Sequence, residues 1–573
     1  MKFFVFIVGL LSSFVLFCAS AAFSLDREAF SITKYDLNLQ VEAAQHRLGV
    51  RGRITLRNDS AVAQKTAVLQ ISSSLDWRAM KAGDTAVEFV TQPYASDIDH
   101  TGALSEAVVT LPSLVTPHAT VELEIAYEGV ILLDATRLTR IGTPEDQAQS
   151  SDWDQIGSTF TAVRGAGYVA WYPIATEVAN LSEGTTMFDV LRRWKAREAG
   201  ARFKIKIGAF AQSPDAVPAI MFNGSACRYE DDPRGRALDC EDEILGLDPP
   251  SFVIADYMPV ESTAAIVDYL PAHKAAASIY AEAADRISPF ISDWFGKPTD
   301  RTRVRIADLP DPKASPFESR WLLFTPLNAT DAHVAGLVVA HQLAHASFSS
   351  SRPWINEGLA HFAQALYLEQ SKNRLAALDY MGVHRAAFLA AEKDLDVNSE
   401  MQVQRSLVNT TSEELYRSKA MYVWWMLRDM VGDAALKKAI AAYHPEQDKE
   451  PSYMPRLIAA QTQGDLEWFF DDWVYRDRGL PDFKVESAFA RKTLTNAYMV
   501  TITVDNLGSA GAEVPVIVKF AGGDVAKRLE VRGKNKATIR VEVPGVPAEI
   551  VVNDGSVPES DMGNNVYKMA GEK

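Results

Sequence analysis

Apolar and polar residues alternate through the first part of the chain. Tyr35, Leu37, Leu39 and Val41 are separated by polar residues, and Val50, Gly52, Ile54 and Leu56 alternate with Arg51, Arg53 and Thr55. A period of two marks strands with one face buried. Short segments of this kind, broken by Gly, Asn, Asp and Pro, continue through 121–127 and 203–207. The pattern predicts an N-terminal antiparallel β domain over 28–259. Its aromatic run GYVAWYP, 167–173, reads as a packed strand, with a rim position as the other reading. From 260 to 482 the texture turns helical, with Ala-rich amphipathic runs at 275–287 and 420–443. Strand-like patches at 303–307 and 321–324 interrupt it, so this part is predicted to be an α+β domain. The stretch 334–347 is apolar nearly all round, as suits a helix at a domain centre. After 483 alternation returns in Val500/Ile502/Val504, Val514/Val516/Val518/Phe520 and Ile539/Val541/Val543, predicting a β-sandwich over 483–573. There is no internal repeat and no low-complexity tract.

A chain of 573 residues exceeds what one core can hold, in keeping with several domains. Apolar content of 47% and charged content of 23% are those of a globular protein. A net charge of −16 argues against nucleic acid or an anionic membrane surface as partner. At the N-terminus, Lys2 precedes an apolar run over 3–17, and Ala19-Ser20-Ala21 offers a small-x-small cleavage site. Residues 1–21 therefore read as a signal peptide, which makes the chain exported, periplasmic or secreted. The run is short for a membrane span; an uncleaved anchor is the alternative, and a lipoprotein reading through Cys18 meets a bulky Phe17. Signal removal leaves Cys227 and Cys240. In an exported chain they are a disulfide pair, with Asp231, Asp232, Pro233 and Gly235 turning the chain between two strands; two free thiols are the alternative. Asn-x-Ser/Thr sites such as Asn58 and Asn328 carry no weight without a source, and oligomeric state is not encoded in any pattern of the chain.

The densest chemistry lies in VVAHQLAH…PWINEGLAHF, 338–362. His341 and His345 are four apart, so a helix puts both imidazoles on one face, within reach of one metal ion. Glu357 follows after a Ser/Arg/Pro break, and a second helix starting near Asn356 can return it as a third ligand. Two His and one Glu with an open fourth position form a catalytic Zn2+ set. The working motif is HExxH, with Glu as general base. Position 342 is Gln.

These residues resemble the aminopeptidase N family, the membrane alanyl aminopeptidase type of gluzincin. VVAHQLAH followed by Trp354, Asn356, Glu357, Gly358 and Ala360 carries the resemblance, with a shorter connecting loop. It implies a β saddle domain, a thermolysin-like zinc metallopeptidase domain, and peptides as substrate. SPFESRWLLF, 315–324, stands where the family has its GAMEN strand, and only Glu318 matches. By resemblance Glu318 binds the substrate's free amine. YRSKAMYVWW resembles the Y-x-K-G helix start, whose Tyr donates to the oxyanion. Tyr416 is one residue further from Lys419 than that pattern asks, and Ala420 replaces the Gly. GDLEWFFDDWV and GLPDF resemble the end of the catalytic domain.

Replacing the base decides the expected activity. A general base contributes about 10²–10⁴-fold, and Gln342 can bond a water but cannot carry its proton. The chain then reads as a zinc-binding scaffold with peptide hydrolysis impaired. Two alternatives stay open. One is a non-enzymatic peptide- or protein-binding pseudopeptidase. The other is an active aminopeptidase whose base has moved to His361, four residues beyond Glu357 on the same helix face.

Overall fold

The computed structural model describes residues 25–183, 186–209, 219–232, 235–246, 248–298, 302–319, 321–327, 331–393, 399–410 and 412–569. The expected signal peptide, Cys18, Pro233 and Asn328 lie outside them. The molecule is a multidomain α+β protein, with six sheets among the described residues and a helical middle.

Strands Phe30–Glu42 and Arg47–Asn58 pair antiparallel, Tyr35 opposite Ile54 and Leu39 opposite Val50. They stand at the centre of an eight-stranded sheet whose inner face buries Tyr35, Leu37, Leu39 and Leu123 completely. A three-stranded sheet, Gln64–Ser72, Ala103–Val115 and Glu88–Ala95, shares this core. The large sheet is not wholly antiparallel: Phe30–Glu42 runs parallel to Arg202–Ala209. A parallel neighbour needs a long return connection. Helix Thr186–Glu198, which alternation alone does not reveal, lies directly before that strand. Its Glu198 accepts from Ile32 N at 3.1 Å and from Tyr35 Oη at 3.0 Å.

The 167–173 segment is packed, as read, but it is not a strand. Trp171 and Tyr172 are fully buried, edge-on to Phe252 and Tyr35 at 5.3 and 5.8 Å. Its backbone is satisfied from outside: Ala170 N donates to Asp99 Oδ1 at 2.8 Å, and its carbonyl accepts from Ser72 N at 2.7 Å. Cys227 and Cys240 form a disulfide at the foot of the hairpin Arg228–Asp232/Gly235–Ile244. Asn58 is fully buried and donates to the carbonyls of Val62 and Val115, so it is a structural bracket and not a glycan acceptor.

The next sheet has order Met258–Glu261, Ala265–Tyr269, Val304–Asp308, Leu322–Thr325, Phe317–Ser319. Its three inner strands are parallel and its edges antiparallel. Helix Lys274–Phe295 covers it and packs on helix Ala332–Ser347. The run 420–443 is two helices, Ala420–Val431 and Asp433–Ala441, because Gly432 takes φ +82° between them. Phe483–Lys492, Tyr498–Asn506 and Lys536–Val543 form one sheet of the C-terminal sandwich; Gly523–Val531, Ala512–Phe520, Pro547–Val552 and Val566–Lys568 form the other. The sandwich shares one hydrophobic core with the helices, and Trp473 Nε1 donates to Gly511 O at 2.7 Å across the join. No described helix is long and apolar enough to cross a membrane.

Burial pushes Glu198 and Glu559 up to about 7 and Asp268 to about 6. Unfolded, such groups titrate near 4, so the folded chain holds more protons between these limits. Stability is therefore expected to fall as pH rises from 5 to 8. Urea midpoints across this range should show the slope, and Glu198→Gln, which keeps an acceptor for Ile32 N, should flatten it. An unchanged slope in the variant would remove Glu198 from this account.

Candidate metal centre

Asp331 caps helix Ala332–Ser347, its side chain accepting from His333 N at 2.7 Å. The helix is buried over 339–345, which places His341, Gln342 and His345 inside the domain. Pro353 starts helix Pro353–Ser371, where its fixed φ and missing N–H cost nothing. The short connection between the two helices is bonded throughout. Ser350 N donates to Asn356 Oδ1 at 3.1 Å, the Ser350 hydroxyl meets Tyr443 Oη at 2.7 Å, and Arg352 Nε donates to both Asp448 oxygens. Asn356 Nδ2 lies 3.2 Å from His345 Nδ1, which explains the Asn of the motif. Trp354 stacks on Trp424 with centroids 5.3 Å apart. Gly358 allows that approach, because a Cβ there would lie 2.8 Å from Ala420 Cβ and 2.9 Å from Trp424 Nε1.

Four side chains converge. Ligand atoms of Glu318, His341, His345 and Glu357 all lie within 4.8 Å of one another. The two Nε2 atoms are 3.1 Å apart. Glu357 oxygens stand 3.5 Å from His345 Nε2 and 3.8 Å from His341 Nε2. Glu318 Oε2 is nearer, at 2.8 Å from His341 Nε2 and 3.3 Å from His345 Nε2. Glu318 comes from the edge strand Phe317–Ser319, placed by its pairing with Leu323. Burial works against charge on Glu318, but His341 and His345 outweigh it and hold this carboxyl well below its usual range. Burial likewise opposes charge on His345, yet Glu357 and Glu318 push it up to about 9. Glu357 Oε2 is buried and accepts no hydrogen bond. Two imidazole nitrogens and two carboxylates converging on one point fit a divalent cation such as Zn2+.

Other candidate residues fall around this cluster. Gln342 is fully buried one residue from His341. Tyr416 is buried; desolvation raises its phenol strongly, and Glu413 and Glu357 add to the shift. It sits in a π-helical turn, Glu414–Lys419, which absorbs one extra residue. That turn accommodates the additional residue between Tyr416 and Lys419. His361 is edge-on to His341 at 4.8 Å and to His384 at 5.3 Å, and burial holds it well below the usual imidazole range. Arg417, unremarked in the sequence, places Nε 3.4 Å from Glu357 Oε2. Nothing in the linear pattern distinguishes it from any exposed helical Arg. Lys419 is buried and bridges Glu392 at 2.6 Å and Asp477 at 2.7 Å, tying the π turn to the end of the domain.

No family model matches the chain, and no curated protein matches it. Among solved structures, it is similar to a Glu→Ala mutant of an M1 zinc metallopeptidase from Deinococcus radiodurans bound to a Tyr-Ser-Ala substrate. The TM-score is 0.52 at 17% identity, over 79% of this chain and 96% of that one. The fold is therefore that of an M1 zinc metallopeptidase, the aminopeptidase fold.

Lys419→Met removes the ammonium that Glu392 and Asp477 share and leaves Arg405 Nε 3.6 Å from Asp477 Oδ2. Removing one partner of such a network costs about 3–5 kcal/mol. A drop of that size in the urea unfolding free energy is expected, and adding Glu392→Gln with Asp477→Asn should recover part of it.

Proposed function

We propose that the chain is a zinc-binding protein on the M1 peptidase scaffold whose capacity to hydrolyse peptide bonds is impaired. One observation carries this reading: a fully buried Gln342 stands in the general-base position of the motif, beside an otherwise complete ligand set. His341, His345 and Glu357 would hold the ion. Bound there with a coordination position left open, Zn2+ would supply a Lewis-acidic centre that polarises water or a carbonyl. Gln342 offers an amide that can orient a polar atom but cannot take a proton at neutral pH. Tyr416 is the candidate donor to an oxyanion, by resemblance. Peptides are the ligand class, taken from the scaffold and from the tripeptide in the Deinococcus structure. The same reading takes the chain as exported, supported by the apolar N-terminal run and the Cys227–Cys240 disulfide.

A second reading, an active enzyme with His361 as base, draws on one observation: its imidazole lies edge-on to His341, with ring centroids 4.8 Å apart. A non-enzymatic peptide-binding protein remains the third.

Purified chain incubated with zinc and desalted is expected to hold about one equivalent by mass-spectrometric metal analysis, lost on His345→Ala. Zinc-loaded protein should hydrolyse aminoacyl arylamides no faster than that variant. A metal-dependent rate abolished by His361→Ala would establish the displaced base instead. Wild-type protein that takes up no zinc would refute the metal reading altogether.

A further inference from the structure

The geometry points to Glu318 as a fourth protein ligand that closes the metal's coordination shell, in place of a substrate-amine anchor. This rests on the reading of the cluster as a zinc site and concerns what occupies its open position.

A tetrahedral ion with ligands at about 2.0–2.2 Å keeps neighbouring donor atoms about 3.3–3.6 Å apart. The cluster's separations are 2.8, 3.1, 3.3, 3.5 and 3.8 Å, with the sixth inside 4.8 Å. Those of 3.5 and 3.8 Å run to different oxygens of Glu357, Oε1 and Oε2, whereas a single Glu318 oxygen, Oε2, meets both imidazoles at 2.8 and 3.3 Å, within a shared ion's reach of the two nitrogens. Glu318 approaches both imidazoles more closely than Glu357 does. An anchor for a peptide's amine must stand off from the metal, because the amine and the reacting carbonyl lie between them. A carboxylate 2.8 Å from a ligand nitrogen leaves no such gap.

Charge agrees with distance. Two carboxylates and two neutral imidazoles around a divalent ion sum to zero, the balance of a closed and buried site. With four protein ligands there is no metal-bound water. A base at position 342 then has nothing to act on, and Gln in its place follows without further cause.

Cobalt-substituted protein tests this without an activity assay. Acetohydroxamate, a small chelating anion, needs an open coordination position. In wild-type protein the visible cobalt bands are expected to stay unchanged at millimolar acetohydroxamate. In Glu318→Ala they should shift, and zinc affinity should fall at least about tenfold. Glu318→Gln, which keeps an oxygen at the site, should lie between the two in affinity and controls for folding. If wild-type cobalt bands shift with acetohydroxamate and Glu318→Ala binds zinc as tightly as wild type, the site has three ligands and the inference is overturned. If wild-type protein binds neither zinc nor cobalt, the underlying metal reading has failed, and this inference with it.

Discussion

Two half-buried carboxylates from different elements are brought together, and a cation between them would reconcile them. Glu318 arrives on the edge of a sheet and Glu357 on a helix, yet both press on the same pair of imidazole nitrogens. In a medium of low polarisability such a pair is costly unless compensated. The protein supplies partial compensation through Arg417 at Glu357 and through the basicity it lends His345. The surrounding architecture serves to hold this arrangement against its own repulsion. The bonded loop before Pro353, the stacked Trp354–Trp424 pair and the Lys419 bridge each restrain an element that carries a charge to the centre.

Much of this was legible in the sequence, because its signals are local. Period-two alternation located Phe30–Glu42 and Arg47–Asn58, and the i, i+4 histidines located the centre. What was not legible depends on contacts distant in sequence. The parallel pairing of Phe30–Glu42 with Arg202–Ala209 is a matter of connection and not of pattern. Strand Gly523–Val531 has mostly exposed or half-exposed residues, so it lacks the alternation that a one-sided core imposes. Gly432 splits a stretch whose amphipathic rhythm runs on past it.

The same distinction applies within the site. His341, His345 and Glu357 announce themselves because their spacing is helical. Glu318 was visible only through the resemblance, as a substrate-amine anchor, and its spacing holds no information about where its oxygen lies. Its placement follows from the register with Leu323, which brings the edge strand alongside the His-bearing helix. The π turn is similar. A one-residue mismatch between Tyr416 and Lys419 reads in one dimension as decay of a motif, whereas in three dimensions the helix takes up the excess and both side chains stay buried.

The close approach at Gly358 bears on how this chain can vary. A helical glycine costs about 1 kcal/mol against alanine, so it persists only where a methyl has no room. The room at 358 is taken by Ala420, itself a methyl larger than the glycine of the resembled motif, and by the indole of Trp424. The gap between these helices thus accommodates a fixed total of atoms, shared among three positions far apart in sequence. An alanine at 358 needs a smaller residue at 420 and a displaced ring at 424. In an alignment of close relatives the three should drift as a covarying set, a signature of helix contact separable from any constraint set by the metal.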